Sequence, residues 1–251
     1  MGIQPQKEGH LDIKLPRQDL SPPVILLIGV FVTGIACLES WNGWFYAPFP
    51  IIHALLALLI PIWYGGLHLK NPWQQLYTHR RLFVILAGSA ILFIGGYILL
   101  YSLFLNLLGR TGDANWNIIA TYKVLSRLYI ARYNQPTVFI VGYLLVGVWP
   151  MFGEEFFYRG FLFKGLKSHT SPTVAAIISS SLFGLRHALQ LVYLWPSYPL
   201  AAGIAYFLWA AGFGLIWDWA YHRSQSLWPC IATHAANLIL APIVFAIILR
   251  S

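Results

Sequence analysis

Apolar residues in this chain run on in long blocks, and polar ones are confined to the gaps between them. The blocks fall at about 22–40, 50–67, 82–108, 136–153, 172–192, 200–221 and 228–249. An α-helix rises about 1.5 Å per residue and the hydrocarbon core of a bilayer is about 30 Å thick, so roughly 20 such residues make one crossing. Pro72, Pro136, Pro172, Pro196 and Pro229 lie at block boundaries, where proline can start a helix. Residues 109–135 differ: Trp116, Ile118, Ile119, Tyr122, Leu125, Leu128 and Tyr129 are set among Arg110, Lys123, Arg127 and Arg132. That spacing suits an amphipathic helix on the membrane, or a partial eighth span. The pattern predicts an all-α fold, a polytopic transmembrane helical bundle of seven to eight spans. A polar, cytoplasmic N-terminal segment at 1–21 would precede a single membrane domain at 22–251. No small-residue cleavage site follows the first block, which is therefore expected to be a retained span.

Composition strengthens this picture. Of 251 residues, 58% are hydrophobic and 10% charged, against roughly 25% charged in soluble domains, and the mean hydropathy is +0.65. The net charge of +8 does not point to a nucleic-acid partner, because the basic residues occur in short clusters between apolar blocks. With the N-terminus inside, ten of them are cytoplasmic: Lys7, Lys14, Arg17, Lys70, Arg80, Arg81, Arg159, Lys164, Lys167 and Arg223. Five, Arg110, Lys123, Arg127, Arg132 and Arg250, are outside. The positive-inside rule favours that orientation. Cys37 and Cys230 lie in apolar blocks without ligand-like spacing and are expected to be small buried hydrophobes.

Ionisable side chains at membrane depth cost about 2.5–3.5 kcal/mol each on insertion scales, so each one calls for a reason. Glu154 and Glu155 close the fourth block. If helix continues there, Arg159 comes within reach of Glu155, while Glu154 points about 100° away and is free to act as a base. His187 and His234 lie inside later apolar blocks, and Asn237 shares a helix face with His234. Histidine and glutamate at depth are the usual parts for activating water, and a histidine beside an asparagine can donate to a developing oxyanion. Asp218, between Trp217 and Trp219, is expected to be structural, orienting a histidine or pairing with Arg186 or Arg223.

Three ordered motifs carry a resemblance. Glu154-Glu155-x-x-x-Arg159, Phe183-x-x-x-His187 and a late helix bearing His234 and Asn237 resemble the CAAX protease and bacteriocin-processing family, also called Abi, of intramembrane proteases. The resemblance covers approximately residues 145–240. It implies an all-helical bundle whose cavity faces the cytoplasm and hydrolyses a peptide bond. The substrate would be prenylated, leader-bearing or membrane-anchored, so the implied partners are a peptide or protein with a lipid-embedded segment and the bilayer itself. Carried over, Glu154 with His187 activates water, Glu155 is supported by Arg159, and His234 helps hold the oxyanion. The family's last motif commonly has Asn or Asp four residues after the histidine, whereas here Leu238 stands there and Asn237 one place earlier. No cofactor is expected from direct activation of water by Glu154. Zinc enters only under a metal-dependent mechanism, with two histidines and a glutamate as ligands. The alternative is a catalytically inactive membrane scaffold, or a bacteriocin self-immunity protein, of the same fold.

Overall fold

The computed structural model describes residues 19–41, 49–65, 79–89, 91, 95, 149–194 and 200–236. Among them the backbone is helical throughout, with turns but no strand, as an all-α fold requires. Helix α1 spans Pro22–Trp41 and α2 spans Phe49–Gly65. A further helical stretch occupies 80–89. Helix α3, Trp149–Glu154, passes without a break into a π-helical segment, Glu155–Phe163, and then into α4, Lys164–Lys167. Helix α5 spans Pro172–Leu194 and α6 spans Leu200–Ser224, and residues 228–236 are again helical.

Local chemistry sets the ends of these helices. The Ser21 carbonyl accepts from the backbone N–H groups of Val24 and Ile25, at 3.0 and 3.1 Å, so α1 starts on two prolines whose missing donors cost nothing in a first turn. The Ser171 hydroxyl caps α5 by accepting from the Val174 N–H at 3.3 Å. Helix α6 ends where Gln225 takes a left-handed φ of 52° and returns its N–H to the Tyr221 carbonyl. The Gln225 amide also donates to the His222 carbonyl at 2.7 Å, which offsets the strain of a non-glycine residue there.

Helices α5 and α6 form the most extensive pairing, with α1 against α5 and α2 against α1 and the π segment. Their close approach depends on absent side chains. A Cβ on Gly184 would stand 2.7 Å from the Phe207 carbonyl oxygen, and one on Gly214 would stand 2.8 Å from the Ser180 Cβ. Phe157, Tyr158, Phe161, Leu162 and Phe163 of the π segment fill the centre, and the Tyr158 hydroxyl meets Thr33 of α1 at 3.1 Å.

The helix continues past Glu154 and Glu155 to Lys167, the condition on which Arg159 reaches Glu155, and the acidic pair lies mid-helix and fully enclosed. The expected seven to eight spans are not displayed, since among the described residues no helix is long and apolar enough to cross a membrane. The amphipathic stretch 109–135 lies outside the described residues.

Candidate active site

The site is built around the π segment. Its last turn closes with the Lys164 N–H reaching back five residues to the Arg159 carbonyl. Such a ladder carries more than four residues per turn, so Arg159 comes back almost over Glu155 and its Nη1 lies 3.4 Å from Glu155 Oε1. Both side chains are 0% exposed. The same guanidinium donates from Nη2 to the Gly214 carbonyl at 3.2 Å and presents Nε to Asp218 Oδ1 at 3.3 Å. It also lies over the Phe183 and Trp217 rings, 4.8 and 5.1 Å from their centroids. One planar cation thus joins three helices, which a point-like ammonium does not do.

The ion-pair partner of Asp218 is thus Arg159, where Arg186 or Arg223 was expected. Ser180 donates to its Oδ2 at 2.9 Å, and Ser179 donates at 3.1 Å to the Tyr158 carbonyl. The serine run ahead of Phe183 is what lets α5 satisfy polar groups from two neighbouring elements.

Glu154 is not left alone. Arg186, the residue before His187, forms an ion pair with Glu154 Oε1, and His187, His234 and His53 all lie within electrostatic reach of this carboxylate. The His187 Nδ1 is 2.9 Å from the Phe183 carbonyl. A carbonyl only accepts, so Nδ1 carries a proton, and in the neutral ring Nε2 then carries the lone pair. His234, brought in by the 228–236 helix, places Nδ1 3.0 Å from Glu155 Oε1 and stacks on Trp217 at 4.6 Å. Cys230 donates to the Trp217 carbonyl at 3.2 Å, which ties that helix to α6.

Two features stand out chemically. Among the described residues nothing donates a hydrogen bond to the buried Glu154 Oε2 or Glu155 Oε2, although a carboxylate oxygen in a dry interior normally accepts one. In addition, three enclosed carboxylates, Glu154, Glu155 and Asp218, face two guanidiniums, Arg159 and Arg186.

Of the six residues singled out in the sequence, Glu154, Glu155, Arg159, His187 and His234 gather here, while Asn237 lies outside the described residues. Sequence reasoning passed over three participants: Arg186 as the partner of Glu154, Ser180 as a support of Asp218, and His53 of α2. The signal for His53 was present, because an ionisable side chain inside an apolar block calls for a reason wherever it occurs. As for zinc, among the described residues no group of three or more His, Cys, Asp or Glu is arranged to hold a metal ion. The two histidines turn their Nδ1 atoms to a carbonyl and to Glu155.

Residues 136–240 match the family described as Rce1-like, type II CAAX prenyl endopeptidase, which agrees with the resemblance read from the motifs. The matched span contains Glu154, Glu155, Arg159, His187, His234 and Asn237, and it leaves out α1, α2 and the 80–89 stretch. No curated protein and no solved structure matches the chain.

Proposed function

We propose, from the Rce1-like span at 136–240, that this chain is an intramembrane endopeptidase that cleaves a peptide bond beside a lipid-embedded tail, with water activated by Glu154 and His187. The observation that carries the reading is the pair of buried carboxylate oxygens, Glu154 Oε2 and Glu155 Oε2, that accept no hydrogen bond from the described residues beside two histidines. A water between Glu154 and His187 Nε2 supplies the missing donor. Arg186 pairs with Glu154 as its anion, the form a general base needs. As the water oxygen attacks the scissile carbonyl carbon, Glu154 takes one of its protons. The C–N bond then breaks as that proton passes to the leaving amine. With Nδ1 turned to Glu155, His234 has Nε2 left for the oxyanion, where hydrogen-bond donors are worth about 10²–10³ in rate. Asn237, on the same helix face by sequence, is the second donor in this reading.

The membrane setting is part of the proposal. Long aliphatic side chains cover the outer faces of the helices, with Leu27 68% and Leu208 63% exposed. Bare apolar surface on this scale marks contact with lipid or protein. The experiment is cleavage by the purified chain of paired peptides that differ only in a prenyl group on a cysteine near the C-terminus, followed by mass spectrometry, with Glu154→Gln as the control. The expected result is hydrolysis of the lipid-bearing peptide alone. Uncleaved peptides in every arm would return the chain to the scaffold or immunity reading, in which the Glu154–Arg186 pair is simply a structural link.

A further inference from the structure

Away from the acidic cluster, at the end of the bundle where α4 and α6 finish, lies an open cleft of ≈ 510 Å³. It is lined by His79, Arg80, Arg81, Leu82 and Ile85 of the 79–89 segment and by Trp219 and Arg223 of α6. Arg80, Arg81 and Arg223 are exposed. Among the described residues no acidic side chain is paired with them, and the enclosed acids already have other partners in Arg159, Arg186 and His234. Lys167 and Arg223 both act on His222 from the same end, so the local excess of positive charge is larger than the cleft itself.

Three guanidiniums from two distant parts of the chain converge on one space with no described acidic side chain to neutralise them. Their mutual repulsion costs free energy that a bound anion would offset. Guanidinium forks match phosphate oxygens in pairs, and the 80–89 helical stretch starts at this cleft, which adds the partial positive charge of a helix N-terminus. The remaining lining is not what a free ion needs. Trp219 is 40% exposed and Ile85 50% exposed, giving an apolar flank and an aromatic ring of the kind that settles at a membrane interface. The volume is also too large for a lone anion and lies in the range of pockets for whole small ligands, about 300–1,000 Å³. We infer that the Arg80–Arg81–Arg223 cleft is a binding site for the headgroup of an anionic phospholipid, with the phosphate on the arginines and the start of an acyl chain along Trp219 and Ile85. The inference rests on the membrane setting proposed above, though not on catalysis.

The test is calorimetric titration of the purified, detergent-solubilised full chain with short-chain phosphatidylglycerol, short-chain phosphatidylcholine and inorganic phosphate. Phosphatidylglycerol is expected to bind at least about tenfold more tightly than either of the others. Arg80→Gln and Arg223→Gln are each expected to weaken it about five- to tenfold, a size set by roughly one charge contact per residue, with helical content unchanged by circular dichroism. Lys164→Gln, which removes a charge outside the cleft, should leave the affinity within about twofold. Trp219→Phe keeps the arginines and separates the apolar flank from the charge, and should weaken the lipid but not inorganic phosphate. Inorganic phosphate binding as tightly as the lipid overturns the assignment, as does an equal loss in Lys164→Gln. Because the readout is binding, a chain that takes up phosphatidylglycerol but cleaves no peptide supports the cleft and removes only the peptidase reading.

Discussion

The His234 Nδ1 stands 3.0 Å from Glu155 Oε1, although 79 positions separate the two residues in the chain. Glu155 is also held by Arg159, so the contact makes one carboxylate the link between the π segment and the last described helix. Through Arg159 the link extends to Asp218 of α6. Changes at any of these residues are therefore felt by the others.

The first expectation concerns Arg159. Its removal strands Glu155 and Asp218 in an enclosed space, and breaking a buried ion pair in this way costs about 3–5 kcal/mol. Arg159→Ala should lower the unfolding free energy of the detergent-solubilised protein by that amount. Arg159→Lys should fall in between, since one ammonium cannot reach Glu155, Asp218 and the Gly214 carbonyl together. A loss below about 1 kcal/mol in Arg159→Ala would show that the pairing is not compensating the acids.

Catalytic roles separate from structural ones at Glu154 and His187. Glu154→Gln and His187→Ala should each lower kcat/KM for the lipid-bearing peptide by about 10²–10⁴, with unchanged helical content. Arg186→Lys, which keeps the charge beside Glu154, should retain more activity than Arg186→Ala. Wild-type turnover in Glu154→Gln would end the general-base role.

Packing of α5 on α6 can be tested without touching a polar group. Gly184→Ala drives a methyl to 2.7 Å from the Phe207 carbonyl oxygen, and backbone cannot step aside as a flexible side chain can. A cost of about 1–3 kcal/mol is expected, together with reduced cleavage, because Arg186 and His187 ride on the displaced helix. Gly212→Ala, where a Cβ meets nothing within 4 Å, should leave stability within about 0.5 kcal/mol of wild type.

Chelation decides between mechanisms. Under direct activation by Glu154, exhaustive treatment with a chelator leaves cleavage at full rate while metal analysis reads empty protein. Activity that vanishes and returns with one equivalent of zinc would sink the glutamate mechanism.

Topology provides the last check. Ser168 is an exposed residue between α4 and α5, at the same end as Lys167 and Arg223, the end that the positive-inside rule predicts to be cytoplasmic. A cysteine introduced at Ser168 should react with a membrane-impermeant maleimide only in inverted vesicles. Labelling in intact cells would reverse the orientation.

The sequence alone was enough for the helical character of the chain, because apolar blocks of this length and scarce charge leave few ways to satisfy a backbone. It also singled out the chemistry: acids and histidines inside apolar blocks are costly, and their cost makes them visible without any structure. The Glu155–Arg159 pair was legible for a different reason, being local, one helical turn apart. What the tertiary structure decided was which distant groups meet. Arg186 could have turned to Asp218 or to Glu154. The Ser180–Gly214 approach brings α6 close enough for Arg159 to claim Asp218, and Arg186 is left to Glu154. His234 reaches Glu155 and His53 comes within reach of Glu154 only because the helices that carry them pack against the π segment and α3. The convergence of Arg80, Arg81 and Arg223 is of the same kind. A long side chain can point in several directions from its own helix, and the neighbour packed against it selects one, so pairings across 30 to 140 positions are properties of the packed bundle and not of any segment within it.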